Sequence, residues 1–172
     1  MTGVQTGALP ISPGTKITYE FPAKGARGPV KLIWYDGIER PPHLPELGKG
    51  NAVPGTGAMI VGDGGVILHG SHGAGNAQIL PEEKMAAYQR PAQKLRRVHG
   101  SHADDWFDAI REGRPAGSNF TYGAALTEIA LLGVIALRFP GQRLEWDAAA
   151  MRFRNSSEAN RLVNPPARQL TA

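Results

Sequence analysis

Residues 15–37, TKITYEFPAKGARGPVKLIWYDG, hold two alternating apolar runs on either side of a turn-rich centre. In the first run Ile17, Tyr19 and Phe21 recur every second residue and share one face of a strand. In the second, Val30, Leu32 and Trp34 share one face while Ile33 and Tyr35 take the other, which predicts a strand covered on both sides. Hairpin-like neighbours in sequence predict antiparallel pairing.

The reading extends outward from this pair. Residues 39–57, ERPPHLPELGKGNAVPGTG, form a Pro/Gly-rich excursion in which little regular structure is expected. Residues 58–70, AMIVGDGGVILHG, read as a tight hairpin around Gly62-Asp63-Gly64-Gly65. The second half turns helical. Pro81 stands at a first-turn position, with Glu82 and Glu83 near the positive end of the helix dipole. In residues 101–113, SHADDWFDAIREG, Ser101 is a capping residue, Asp104 and Asp105 favour the first turn, and Gly113 ends the helix. Trp106 and Ile110, four apart, share a face with Phe107 beside them. Residues 122–139, YGAALTEIALLGVIALRF, are apolar nearly all round, which predicts a buried helix. Short strands are expected at 142–147 and 151–155, and a last helix at 156–163. The sum is an α+β fold.

The chain has 172 residues, 41% hydrophobic and 20% charged, enough for one globular domain with a real core. The formal charge of +4 is mild, and Arg90, Lys94, Arg96 and Arg97 cluster in a Pro-containing segment between two helical stretches. A solvated loop accounts for that cluster, and no nucleic-acid partner is expected. No apolar run predicts a membrane span. The absence of cysteine excludes disulfides and thiolate nucleophiles and leaves the compartment open.

Glycine-rich segments invite a nucleotide-binding reading, which the spacing does not support. Gly73-Ala74-Gly75 is followed by Asn76, Ala77 and Gln78, so the third glycine of a dinucleotide fingerprint is missing. No G-x-x-x-x-G-K-[ST] occurs. The string HGSH appears twice, at His69–His72 and His99–His102. Four imidazoles could ligate zinc or nickel, yet neither pair has helical spacing and no carboxylate stands at a ligand offset, so no metal site is expected. Turn-borne His72 and His102 are instead candidates for substrate contact. The helix first turn is a sufficient reason for Asp104 and Asp105. Trp34-Tyr35-Asp36 sets aromatic rings beside a carboxylate, a combination suited to a polyol, with core packing of Trp34 as the competing explanation.

Residues 1–12, MTGVQTGALPIS, have neither the basic n-region nor the apolar run of a secretory signal, and no sustained period. The string resembles the conceptual translation of a common sequencing-library adapter, with Gly7 where that translation has Cys. It is expected to be a non-native segment, with 13–172 as the domain and the true reading frame beginning upstream.

Six blocks occur in a recognisable order: ITYEFPAKG, PVKLIWYDG, VGDGGVILHG, ILPEE, GSHADDWFDAIREGRPAGSNFTYGAALTEIALLGVIALR and LEWDAAAMRFRN. From about Thr15 to about Ala159 the chain resembles the C-terminal region of bacterial oxidoreductases of the glucose–fructose oxidoreductase, inositol dehydrogenase and MocA family. The tail ARQLTA departs from the Tyr-Arg-x-Gly-Trp ending of that pattern. The resemblance implies the C-terminal domain of a two-domain enzyme: an open, mostly antiparallel sheet with helices packed on one face, forming the substrate side and an oligomer interface. It implies a sugar or polyol substrate, a homo-oligomeric parent, and NAD or NADP held by a Rossmann domain that this sequence lacks. The family's Glu-Lys-Pro and Asp-x-x-x-His motifs are not found, so no catalytic residue is carried over and the chain alone is expected to be inactive and to bind neither cofactor. The alternative is a standalone carbohydrate-binding α+β module using Trp34, Tyr35, Asp36 and the histidine loops.

Overall fold

The computed structural model describes residues 3–6 (main chain), 14–48, 53–71 and 74–166. They fall into two compact units, one of residues 1–40 and 98–172 and the other of residues 41–97. The fold is α+β, with every strand pair antiparallel and the sheets open.

In the first unit, β1 (Gly3–Thr6), β2 (Gly14–Phe21), β3 (Val30–Gly37) and β7 (Arg143–Leu144) form a four-stranded sheet in the order β3-β2-β1-β7. A small hairpin follows, β8 (Trp146–Asp147) with β9 (Arg152–Phe153). Three helices complete the unit: α2 (His102–Glu112), α3 (Phe120–Ala136) and α4 (Ser157–Val163).

The alternation read in residues 15–21 is the pattern that builds the core. Ile17 and Tyr19 are buried, and Phe21 packs against them. Leu132 and Ala136 of α3, with Phe139, Leu144, Trp146, Phe153 and Ala159, close the cluster. Each such buried aliphatic or aromatic side chain contributes about 1.5–3 kcal/mol relative to exposure. Trp146 and Phe153 meet edge-on at 5.0 Å between ring centroids. Two asparagines tie the short strands down through main-chain groups. Asn160 accepts from Phe153 N at 2.7 Å and donates to Phe153 O at 2.8 Å, while Asn155 donates to Arg143 O at 2.7 Å and accepts from Glu145 N at 2.9 Å. These bonds give two-residue strands a fixed place that their length alone would not.

The start of α2 follows its sequence signals. Ser101 caps it in a reciprocal box with Asp104, and Gly113 ends it in the left-handed region at φ 64°. Its interior-facing residues are Asp105 and Ala109, so the Trp106, Phe107 and Ile110 stripe points outward, half or more exposed. Asp105 is buried because it fastens the helix to the following loop, accepting from Gly117 N at 2.7 Å and from Arg114 at 3.0 Å.

Three packing expectations change. β3 is not covered on both sides, since Val30, Leu32, Ile33 and Trp34 are all exposed. It is the end strand of the sheet. α3 is not a buried helix either: Leu132, Gly133 and Ala136 face the core, while Phe120 (92% exposed), Leu126, Leu131 and Val134 face outward. An all-apolar helix carries no period from which the inward side could be read. Finally, residues 3–6, where no period predicted a strand, lie inside the sheet, Gly3–Thr6 pairing with Glu20–Ile17 and Val4–Gln5 with Leu144–Arg143.

In the second unit, β4 (Gly57–Gly62), β5 (Gly65–Gly70) and β6 (Gln78–Leu80) form a three-stranded sheet in that order, followed by α1 (Glu82–Ala87). The expected hairpin is present, with Gly62 opposite Gly65. Gly65 has φ 140°, and a β-carbon there would stand 2.7 Å from Leu80 O, so glycine is required where β5 meets β6. Lys84 donates to Gly64 O across the same corner. In the excursion at 39–57 the only described regular element is a single 3-10 turn at Pro45–Leu47. β6, three residues long, was too short to carry a period.

Candidate substrate-contact site

Trp34, Tyr35 and Asp36 sit near the end of β3, opposite Ile17, Lys16 and Thr15 of β2. Successive strand residues point to opposite faces, so Trp34 and Asp36 share the face that carries Ile17 while Tyr35 lies on the other. The three side chains therefore do not converge. Trp34 is 56% exposed, so core packing does not account for it. Asp36 accepts from Gly37 N at 2.7 Å through its carboxylate, and its main-chain oxygen accepts from Glu39 N at 3.2 Å, which fixes the turn leaving the strand. Arg40 donates to Gly37 O at 2.6 Å over the same turn. Tyr35 receives the Lys16 ammonium 5.6 Å from its ring centroid.

His102 is the first residue of α2 and is exposed. No hydrogen bond, ion pair or ring contact joins it to Trp34, Tyr35 or Asp36. His72 lies outside the described residues. Its neighbour in sequence, His69, is part-buried, with Nδ1 2.7 Å from Gly70 O. Among the described residues no group of three or more His, Asp or Glu side chains could hold a metal ion, and no described helix is long and apolar enough to cross a membrane.

Sequence reasoning missed a shallow cleft of about 440 Å³ beside the hairpin, lined by Arg143, Glu145, Trp146, Asp147 and Arg154. Arg143 pairs with Glu20 at 2.7 Å, and Arg154 meets Asp147 through two nitrogens at 3.0 and 3.2 Å. The Ala150 N–H and then Arg154 hold the Asp147 carboxyl below the usual carboxylate range. At the inner end Trp146 donates from Nε1 to Glu128 at 2.6 Å, joining the hairpin to α3. Both guanidiniums are already matched by carboxylates. The cleft's signal was the charge spacing in residues 143–154, visible only once the hairpin sets Asp147 opposite Arg152 and brings Arg154 back.

The turn at 74–76 runs into β6, a strand, where pyrophosphate binding needs a helix N-terminus behind the glycines. Comparison with protein-family models, with curated proteins and with solved structures returns no match.

Proposed function

We propose that this chain is the substrate-side and assembly portion of an NAD(P)-dependent sugar or polyol oxidoreductase of the glucose–fructose oxidoreductase, inositol dehydrogenase and MocA family. The observation that carries the reading is the resemblance of six ordered sequence blocks spanning about Thr15 to Ala159. An α+β fold of open antiparallel sheets is consistent with it. The nicotinamide cofactor would be held by a Rossmann domain encoded outside these residues. No hydride step is assigned to the chain, because the family's lysine and histidine motifs are absent from it. Its own contribution is a surface: the Trp34 ring with Asp36 on the same face, a stacking plane beside an acceptor for hydroxyl groups.

Calorimetric titration with NAD and NADP, followed by glucose and inositol, tests this. Neither nucleotide binds at micromolar concentration, whereas a sugar or polyol perturbs Trp34 fluorescence. Micromolar nucleotide binding by the isolated chain would sink the reading. The second reading, a standalone carbohydrate-binding module, is favoured by the exposure of Trp34. DNA immediately upstream of the Pro13 codon separates the two: a strand–GxGxxG–helix supports the enzyme, a stop codon the module.

A further inference from the structure

Between the end of α1 at Ala87 and the start of α2 at His102 the chain forms no helix or strand, and every residue from Tyr88 to Ser101 is exposed. This stretch carries Arg90, Lys94, Arg96 and Arg97 and no carboxylate. Leu95, among these cations, is 77% exposed. The same stretch holds one of the two crossings between the compact units, at Arg97–Val98, the other being Arg40–Pro41. The two crossings differ chemically. Arg40 precedes a proline, as does Arg90, and the ring fixes φ and removes the N–H, so the bond before it fits a protease cleft poorly. Lys94, Arg96 and Arg97 precede Leu95, Arg97 and Val98, which carry no such block. Elsewhere, Lys16 and Lys31 stand in paired strands, Lys84 and Arg111 in helices, and Lys24 and Arg27 bridge one tight turn through two main-chain bonds. A bond held in a regular element is cut only after local opening, whereas an exposed irregular segment is nicked directly.

We propose that residues 94–98 form a processing site for a protease specific for basic residues, and that the cut chain stays in one piece. A carboxylate at the floor of such a protease's specificity pocket receives the Lys or Arg side chain. The step is a hydrolysis. One water adds across the Arg97–Val98 amide, the C–N bond breaks, Arg97 keeps a carboxylate and Val98 gains an amino group, and nothing is oxidised or reduced. The bonds after Lys94 and Arg96 react in the same way. No helix or strand is divided by the cut. All of the second unit stays with the N-terminal piece, whereas both pieces contribute to the first unit. Ile17 and Tyr19 of the N-terminal piece share one core with Leu132, Ala136, Phe139 and Leu144 of the C-terminal piece. The β1–β7 ladder also joins the two pieces, as does the Glu20–Arg143 ion pair at 2.7 Å. Cleavage therefore releases one of the two tethers of the second unit and leaves the core of the first unit closed. None of this depends on the functional proposal.

Trypsin, added at low ratio to the intact chain in native buffer, is the probe, with mass spectrometry of the products. The first cut between β1 and α4 falls after Lys94, Arg96 or Arg97, at least about tenfold faster than after any other Lys or Arg in that span. Its rate comes within about tenfold of that for a free peptide of residues 88–101, because an exposed bond needs no opening. The triple variant Lys94→Gln, Arg96→Gln, Arg97→Gln loses the fast cut. On a sizing column the two pieces elute together in native buffer and apart in denaturant. A first cut elsewhere in the span, Lys49 included, overturns the proposal. So do pieces that part in native buffer.

Discussion

The Tyr19 hydroxyl occupies the space that a β-carbon on Gly133 would need, and Ile17 Cδ1 lies 3.3 Å from the same point. α3 can settle onto β2 at this depth only because position 133 has no side chain. Gly133→Ala would gain about 1 kcal/mol of helix propensity. The steric conflict at a packed contact outweighs that gain, and we expect a net loss of about 1–3 kcal/mol in urea denaturation. Tyr19→Phe in the same background removes the conflicting oxygen and recovers most of the loss. A neutral or stabilising Gly133→Ala would show that the helix stands further from the sheet.

Burial also raises the Tyr19 phenol pKa above its ordinary 10.0. A group whose folded pKa is raised holds its proton more tightly in the native state, so its contribution is complete below pH 10 and lost as pH rises through the folded value. Thermal midpoints should therefore fall above about pH 10, and Tyr19→Phe should flatten that fall. An identical alkaline profile in the variant would remove Tyr19 as its source.

Two carboxylates act in the opposite sense. The Ser101 backbone N–H and then its hydroxyl lower the Asp104 pKa below 3.8, while the Ala150 N–H and then Arg154 lower that of Asp147. Their stabilising effect is present above pH 3.8 and lost as pH falls through the folded values. Asp104→Asn with Asp147→Asn should shallow the acid transition monitored by circular dichroism. Ser101→Ala, which removes the cap at neutral pH as well, should cost about 1 kcal/mol.

Asp105 serves the chain differently from its neighbours in the acidic run. Replacing it with Ala leaves Gly117 N without its acceptor in a part-buried position and detaches the loop from α2. The expected loss is about 2 kcal/mol. Asp108→Ala, by contrast, removes only an exposed pairing with Arg111 and should be nearly neutral. Equal effects from the two substitutions would contradict the assignment of Asp105 as the fastening group.

Much of this was legible where local rules act alone. Ser101, Asp104 and Gly113 announce α2 because capping is a matter of a few adjacent residues. Ile17 and Tyr19 declare their face because only one side of β2 is covered by a helix. Residues 30–35 and 120–136 were misread for a common reason. A continuous apolar run gives no direction, so whether β3 or α3 is covered depends on neighbours far away in sequence. Of the candidate contacts, the shared face of Trp34 and Asp36 follows from strand alternation, as does the separation of Tyr35 from them. The cleft of Arg143, Asp147 and Arg154 required a hairpin closed by Asn155 and Asn160, whose side-chain bonds to the main chain leave no periodic mark.

The four residues of β1 stand between β2 and β7. Trimming the first twelve residues to tidy an expression clone would therefore do more than shorten the chain. It would leave β2 with an open border and β7 with no neighbour in the ladder. A replacement leader would have to be long enough to fold back and set four extended, proline-free residues beside Ile17–Glu20. Anyone appending an affinity tag at this end is choosing what fills the sheet.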